Sequence, residues 1–356
     1  MKIAIIVRNL TDGGAERVAA MWSEGFHKRG HEVSVVIFDD KSPITYNVPL
    51  GVTIKYVVTT SKNKLIRTIQ KAFKLHKVLK EISPDVIIDV IPTYWKRIAM
   101  IGIQGKKIST EHNSFERPDN AVAKYSKLQK IYLNRLYDQV TVLTQADKDV
   151  IGNQLKNVTV LPNPLALKPT KEIPPKKKII LATGRIHAWH YKGFDILIKA
   201  WAEIASKVGS WKVQIVGDPK LGGLKFLQSL CEEYGVTSSV EFLGYQSDIL
   251  PFYQEASIFV LSSRYEGFGL VLIEAMSQGC ACVACDYKGR QKEIITSEKQ
   301  GIICEPENVE ALAKSILSLM KDDDKRKEIG SNAIIRSHDF SLDNIMDKWD
   351  SILEKI

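Results

Sequence analysis

Two carboxylates with seven residues between them frame the segment of the chain best suited to chemistry, Glu266-Gly267-Phe268-Gly269-Leu270-Val271-Leu272-Ile273-Glu274. Its glycines let the backbone come close to a ligand. The apolar run after Gly269 reads as a helix whose unpaired N–H groups and positive dipole end suit a phosphate. Glu266, ahead of the turn, is placed to accept hydrogen bonds from sugar hydroxyls. Glu274 lies in an otherwise apolar helix and needs a polar partner, for which ribose hydroxyls are suited. Gly184-Arg185 and Lys192-Gly193 add a guanidinium and an ammonium. Together they would stabilise the charge that develops on a diphosphate as it leaves a sugar. On spacing alone these two also read as ordinary solvated cations.

Such side chains need strand ends to hold them. Lys2 to Arg8 reads as a buried strand, Asp12-Gly13-Gly14 as a glycine turn, Ala15 to about Gly30 as a helix and His31 to Phe38 as a second strand. That order is a βαβ unit with parallel pairing. Further strands are expected at Val52–Val58, Asp85–Val90, Lys107–Thr110, Gln139–Thr144 and Val158–Pro162. The prolines at 164, 169, 174 and 175 then interrupt any helix or central strand. Beyond them the rhythm restarts, with strands at Ile179–Thr183, Lys212–Val216, Val240–Leu243, Ile258–Leu261 and Ala281–Ala284. Helices are expected over Phe194–Val208, Leu224–Tyr234, Ile249–Ala256, Leu270–Gln278, Val309–Met320 and Leu342–Ile356. The reading is an α/β chain of two doubly wound, Rossmann-like domains, residues 1–163 and 179–336, with 164–178 as linker and 337–356 as a closing helical segment. Ligands in such sheets bind beyond the carboxyl ends of the strands, so the expected site is a cleft between two facing domains.

A chain of 356 residues with 44% apolar content exceeds what one core usually supports, in keeping with two domains. No run approaches the ~18 apolar residues of a membrane span, and Met1 leads straight into the first strand without a basic leader, so a cytoplasmic chain is expected. The five cysteines, Cys231, Cys280, Cys282, Cys285 and Cys304, read as small buried residues. Alternation along a strand would send Cys280 and Cys282 to one face and Cys285 to the other rather than gather the three thiols round a metal. Asp147 and Asp149, like Asp322 and Asp324, lie in polar stretches flanking helices and away from the predicted strand ends. Charge is unevenly placed. Up to Leu165 there are 25 Lys/Arg against 15 Asp/Glu, or +10; the remainder has 25 against 26, or −1. An anionic partner met by the first half follows.

The run from Gly184-Arg185 through Lys192-Gly193, Glu266 and Glu274 to Gly279 and Asp286 resembles glycosyltransferase family 4 (glycosyl transferases group 1), and the resemblance spans essentially the whole chain. It implies the GT-B fold and a retaining, metal-independent transferase without cofactor, which uses a nucleotide sugar, most often UDP-linked, as substrate. It implies that Arg185 and Lys192 hold the diphosphate, that Glu266 with the backbone of Phe268, Gly269 and Leu270 holds sugar and phosphate, and that Glu274 holds the ribose. Gly244-Tyr245 would pack on the base. Gly13-Gly14-Ala15-Glu16-Arg17 resembles the glycine loop that approaches donor phosphates and acceptor, and the final helix is implied to cross back to the first domain. Val160-Leu161-Pro162-Asn163 resembles the strand leading into the linker. A strand-end histidine is by itself most often structural. Glu111-His112-Asn113, however, resembles the segment whose histidine contacts the donor sugar, so His112 joins Glu266, Arg185 and Lys192 as a catalytic candidate. Three features depart from the pattern. Six residues separate Arg185 from Lys192, more than is usual; Ala281 stands where proline is common; and Lys288-Gly289-Arg290-Gln291 replaces a glycine-proline turn.

From Lys62 to Lys80 seven basic residues (Lys62, Lys64, Arg67, Lys71, Lys74, Lys77, Lys80) alternate with apolar ones and no acid. As a helix this is cationic and amphipathic, suited to an anionic membrane or the diphosphate of a lipid-linked acceptor; a solvated helix covering the sheet is the plain alternative. Lys96, Arg97, Lys106, Lys107, Lys124, Lys127 and Lys130 extend the basic character. No nucleic-acid-binding module accompanies the charge. The expectation is transfer of a hexose or N-acetylhexosamine to a lipid-linked saccharide in polysaccharide, lipopolysaccharide or oligosaccharide assembly, at the inner face of the membrane. An inert nucleotide-sugar or membrane-binding protein and a GT-B sugar-nucleotide epimerase are the alternatives.

Overall fold

The computed structural model describes residues 1–11, 13–38, 43–116, 125–207 and 209–356. Asp12, Lys124 and Val208, named above, lie outside the described residues. The chain forms two compact units, Met1–Pro164 with Leu342–Ile356, and Leu165–Ser341.

The first unit carries β1 (Lys2–Val7), β2 (Glu32–Ile37), β3 (Thr53–Tyr56), β4 (Val86–Val90), β5 (Lys106–Thr110), β6 (Gln139–Val142) and β7 (Val158–Val160). They form a parallel sheet in the order β3-β2-β1-β4-β5-β6-β7. Its helices are α1 (Gly14–Lys28), α2 (Lys64–Ile82), α3 (Tyr94–Ala99), α4 (Lys127–Asn134) and α5 (Gln145–Ile151). Central strands such as β4, Val-Ile-Ile-Asp-Val, are buried at every residue, because crossover helices cover both faces of a parallel sheet.

In the second unit β8 (Lys177–Thr183), β9 (Lys212–Val216), β10 (Val240–Gly244), β11 (Ala256–Leu261), β12 (Ala281–Cys285) and β13 (Ile302–Cys304) form a parallel sheet ordered β10-β9-β8-β11-β12-β13. Helices α6 (Trp189–Lys192), α7 (Phe194–Ile204), α8 (Leu224–Glu233), α9 (Leu250–Glu255), α10 (Leu270–Ser277), α11 (Val309–Lys321) and α12 (Asp323–Ser337) surround it. A further helix, α13 (Leu342–Leu353), follows and belongs to the first unit. The short strand β13 and the helix α12 carry too little periodic apolar signal to stand out in the sequence. Most of the proline-rich stretch packs on the second unit, where Lys176 Nζ donates to the carbonyls of Tyr253 at 2.9 Å and Gln278 at 2.8 Å.

In each sheet the chain runs outward in one direction and then in the other, leaving a switch point between β1 and β4 and another between β8 and β11. Adjacent connections diverge there and open a crevice at the strand ends. Among the described residues no helix is long and apolar enough to cross a membrane. All five cysteines are buried and unpaired with one another.

Candidate active site

The turn after β8 and the turn after β11 meet at the switch point of the second unit. After Arg185 the chain winds through a 3-10 turn at Ile186–Ala188 and the single turn of α6, with Lys192 at its end. The extra residues between Arg185 and Lys192 are thereby taken up as helix. Ile186 is buried, and Trp189 stacks on Phe226 of α8, ring centroids 4.1 Å apart. Gly193 then has φ 63°, and a Cβ there would collide with the carbonyl oxygen of Ser262. Only glycine brings the two turns this close.

The close approach joins the two halves of the predicted constellation. Lys192 Nζ lies 2.6 Å from Glu266 Oε1, and Ser263 Oγ donates to the same oxygen at 2.8 Å. Ser262 Oγ donates to the Lys192 carbonyl at 3.0 Å. Phe268 is buried, Gly269 caps α10 at φ 105°, and Leu270 begins the helix. Glu274 is buried and accepts a hydrogen bond from the Tyr253 hydroxyl at 3.1 Å, while Thr183 Oγ1 lies 3.4 Å from the same hydroxyl. A buried carboxylate in an apolar helix therefore does have its polar partner, supplied by α9. Arg185 is exposed and makes no side-chain hydrogen bond among the described residues. Gly244 ends β10, where its carbonyl accepts from Gly217 N at 2.9 Å, and Tyr245 beyond it is 68% exposed.

Several supporting residues carry no sequence signal. Arg264 grips Asp195 with two hydrogen bonds of 2.7 and 2.8 Å, reaches Glu307 at 2.6 Å and donates to the His190 carbonyl at 2.7 Å. Its pKa is raised, first through the Asp195 hydrogen bond. Nothing in the residue order announces an arginine that holds the 186–192 turn from the neighbouring strand end. Arg264→Ala is expected to lower catalytic turnover by roughly 10²-fold through misplacement of Lys192, with far-UV circular dichroism unchanged; turnover within a few-fold of wild type would rule that role out. On the other side the atypical 288–291 turn buttresses the glycine segment. Asp286 accepts from Gly289 N at 2.9 Å and Gln291 N at 3.0 Å, and Gln291 Nε2 donates to the Phe268 carbonyl at 3.3 Å. Ala281 is simply buried in β12.

In the first unit Gly13 caps α1 at φ 106°, its carbonyl accepts from the Tyr46 hydroxyl at 3.1 Å, and Gly14 opens the helix. The Glu16 carboxylate folds back over Gly13. His112 follows β5, with Nε2 3.2 Å from Thr110 Oγ1 and its ring 5.5 Å from that of Trp22. Burial lowers its pKa to about 4, so the ring is uncharged at neutral pH. Asp147 is a structural staple, accepting from Ser114 Oγ at 3.0 Å, Phe115 N at 2.8 Å and Thr144 Oγ1 at 2.9 Å, and Asp322 caps α12.

The basic surface is smaller than the sequence suggests. Lys96 is buried, 2.6 Å from Asp89 Oδ1 and bonded to the carbonyls of Val90 and Ile91; Tyr137 donates to Asp89 Oδ2 at 2.6 Å. Lys107 is spent on the carbonyls of Ile103 and Gly105, and Lys130 on Glu111 at 2.7 Å. These three do not extend a surface patch, because each ammonium is held on acceptors of the protein itself, Lys96 in a buried position. On α2 the surface is retained. Only Leu75 and Leu79 are buried there, while Leu65, Ile66, Ile69 and Phe73 are exposed by 70, 50, 61 and 72% beside Lys62, Lys64, Arg67 and Lys71. The front half of this helix does not cover the sheet. Lys74 donates to the Val58 carbonyl at 2.8 Å, and the exposed Lys77 and Lys80 complete the basic set.

Residues 166–336 match the model described as glycosyl transferases group 1, and residues 12–168 match that of glycosyltransferase family 4. An uncharacterized glycosyltransferase of Haemophilus influenzae is 28% identical over 99% of this chain and 99% of its own. A Campylobacter jejuni enzyme is 28% identical over 100% of this chain and 99% of its own. It is named GalNAc-alpha-(1->4)-GalNAc-alpha-(1->3)-diNAcBac-PP-undecaprenol alpha-1,4-N-acetyl-D-galactosaminyltransferase. Among solved structures, HepE of Anabaena in complex with UDP and glucose superposes with a TM-score of 0.81 at 21% identity, covering 100% of both chains; the likeness is one of fold, GT-B.

Proposed function

Because the chain belongs to glycosyltransferase family 4, the glycosyl transferases of group 1, and is a glycosyltransferase, we propose that it moves a hexose or N-acetylhexosamine from a UDP-sugar to a lipid-linked saccharide. Transfer retains the anomeric configuration and uses no metal ion. The observation that carries the reading is the Lys192–Glu266 pair at the β8/β11 switch point, beside the glycine turn that opens α10.

In this reading Arg185 and Lys192 neutralise the diphosphate where a divalent ion would otherwise do so. The bond from the anomeric carbon to the β-phosphate oxygen breaks, the acceptor hydroxyl oxygen bonds to that carbon on the same face, and its proton passes to the departing phosphate oxygen. Glu266 holds the sugar. Glu274, steadied by Tyr253, holds the ribose, and Tyr245 offers its exposed ring to the base. The Campylobacter relative acts on an undecaprenol-linked saccharide and the Anabaena structure contains UDP, which supports the choice of acceptor and donor class. A mass-resolved assay pairing UDP-sugars with polyprenyl-diphosphate-linked saccharides is expected to show an extended acceptor carrying an α-linked sugar from an α-linked donor. An inverted linkage would overturn retention, and no transfer from any nucleotide sugar would overturn the reading.

On this reading the enzyme works at the inner face of the cytoplasmic membrane, and α2 has the makeup to rest there. Its exposed Leu65, Ile66, Ile69 and Phe73 would enter the acyl boundary while Lys62, Lys64, Arg67 and Lys71 meet anionic headgroups. Replacing Ile69 and Phe73 by serine is expected to weaken co-sedimentation with phosphatidylglycerol vesicles by roughly tenfold or more. Added salt is expected to weaken the wild type. Equal binding of both proteins would exclude α2 as the contact.

A further inference from the structure

His112 is a ring with two different surroundings. On one side Nε2 faces the Thr110 hydroxyl at 3.2 Å, and that hydroxyl lies 3.4 Å from the Asp89 carbonyl of the adjacent strand. On the other side Nδ1 is buried and lacks a hydrogen-bond partner of good geometry, as does Oδ1 of Asn163. The two orphans belong together. The Asn163 side chain stands close enough to His112 to favour a proton on the ring, and a carbonyl oxygen can only accept. Trp22 packs against the imidazole, and its own indole N–H has no partner either, so it offers Nδ1 no alternative acceptor.

We propose that Asn163 is a positioning residue that fixes His112 as the Nδ1–H tautomer, so that Nε2 turns a lone pair toward the strand-end crevice and accepts a hydrogen bond from a hydroxyl of the bound sugar. The uncharged ring carries one N–H, and its position decides what the ring can recognise. With the proton on Nδ1, a donor meets an acceptor inside the fold and Thr110 donates to Nε2. With the proton on Nε2, a ring lone pair and an amide oxygen would face each other without water, a buried mismatch that disfavours that tautomer by roughly tenfold or more. A substrate hydroxyl can take the place of the Thr110 hydroxyl, whose single proton then turns from Nε2 to the Asp89 carbonyl, 3.4 Å away. His112 then recognises a neutral hydroxyl instead of pairing with phosphate as a cation. Asn163 reaches this role from the strand-to-linker segment, 51 residues beyond His112.

The recognition of a sugar hydroxyl rests on the transfer reading; the tautomer does not. The test is the long-range proton–nitrogen NMR spectrum of protein labelled with 15N-histidine, at neutral pH and without substrates, with His112 assigned by its loss in His112→Gln. A pyrrole-type Nδ1 and a pyridine-type Nε2 are expected in the wild type, and a shift of population toward Nε2–H in Asn163→Ala. The opposite tautomer in the wild type, or an unchanged one in Asn163→Ala, overturns the proposal. If Asn163→Ala fails to fold, Asn163→Asp decides. Its carboxylate is expected to raise the titration midpoint of His112 while keeping the proton on Nδ1, and an unmoved midpoint overturns the pairing. A protein with the expected tautomer but no sugar transfer would leave the Asn163 assignment standing and remove the transfer reading.

Discussion

Lys192→Ala is expected to lower kcat/KM for sugar transfer by about 10²–10³-fold, the range seen when one preorganised group is withdrawn from a developing anion. Lys192 is largely buried and 2.6 Å from Glu266, so its charge acts in a medium that screens it poorly. Lys192 ends a helical turn whose course is fixed by Gly193 and by Arg264. Lys192→Arg is expected to recover only part of the loss, because a planar fork does not fit the space of a compact ammonium. Glu266→Gln keeps the shape and an oxygen that can accept from Ser263 while removing the charge. It is expected to reduce kcat strongly while the UDP-induced thermal shift persists, since donor diphosphate contacts remain. The two side chains touch, so the double variant should lose less than the sum of the single losses. Wild-type turnover in either single variant would remove the pair from the chemistry.

The second large effect is on stability. Trp349→Ala is expected to destabilise the first unit by about 3–5 kcal/mol, the usual cost of emptying a buried aromatic site, and to lower its thermal midpoint by roughly 10 °C. Trp349 is fully buried on α13, its ring 5.1 Å from Trp22 and 5.4 Å from Phe26, both on α1. Arg29 pairs with Asp347 and Asp350 beside it, and Gly25 leaves room for Met346, where a Cβ would come within 2.5 Å of the methionine side chain. The Trp349 indole N–H has no partner, so Trp349→Phe should cost far less than Trp349→Ala. Equal losses in both would mean that the indole contributes more than the apolar contact described here. Because Trp22 also packs on His112, the alanine variant is expected to loosen the histidine as well.

The parts of this molecule legible in its residue order are those that repeat or alternate. Buried parallel strands such as Ile3–Val7 and Val86–Val90 announce themselves because both faces must be apolar. The glycine turns before α1 and α10 do so because backbone must pass where a side chain cannot. The segment from Glu266 to Glu274 combines both signals, and its carboxylates belong to the same strand-turn-helix unit. What surrounds it was silent. Asp195, Arg264, Tyr253 and Gln291 are ordinary polar residues in sequence, and each matters through a partner on another element, while Ser263 matters through Glu266 in its own turn. Lys96, Lys107 and Lys130 were misleading for the same reason, since a lysine looks alike whether it meets water or a buried carbonyl.

Local sequence alone determined the two parallel α/β domains, the phosphate-suited turn and the cationic helix α2, because strand, helix and glycine-turn preferences act over neighbouring residues. Tertiary structure alone decided that Lys192 reaches Glu266, that His112 Nδ1 and Asn163 Oδ1 are both buried without a partner and that α2 leaves its front apolar face uncovered. Each of these depends on what chain folding brings within a few ångströms from tens to hundreds of residues away, a distance over which neither periodicity nor propensity carries information.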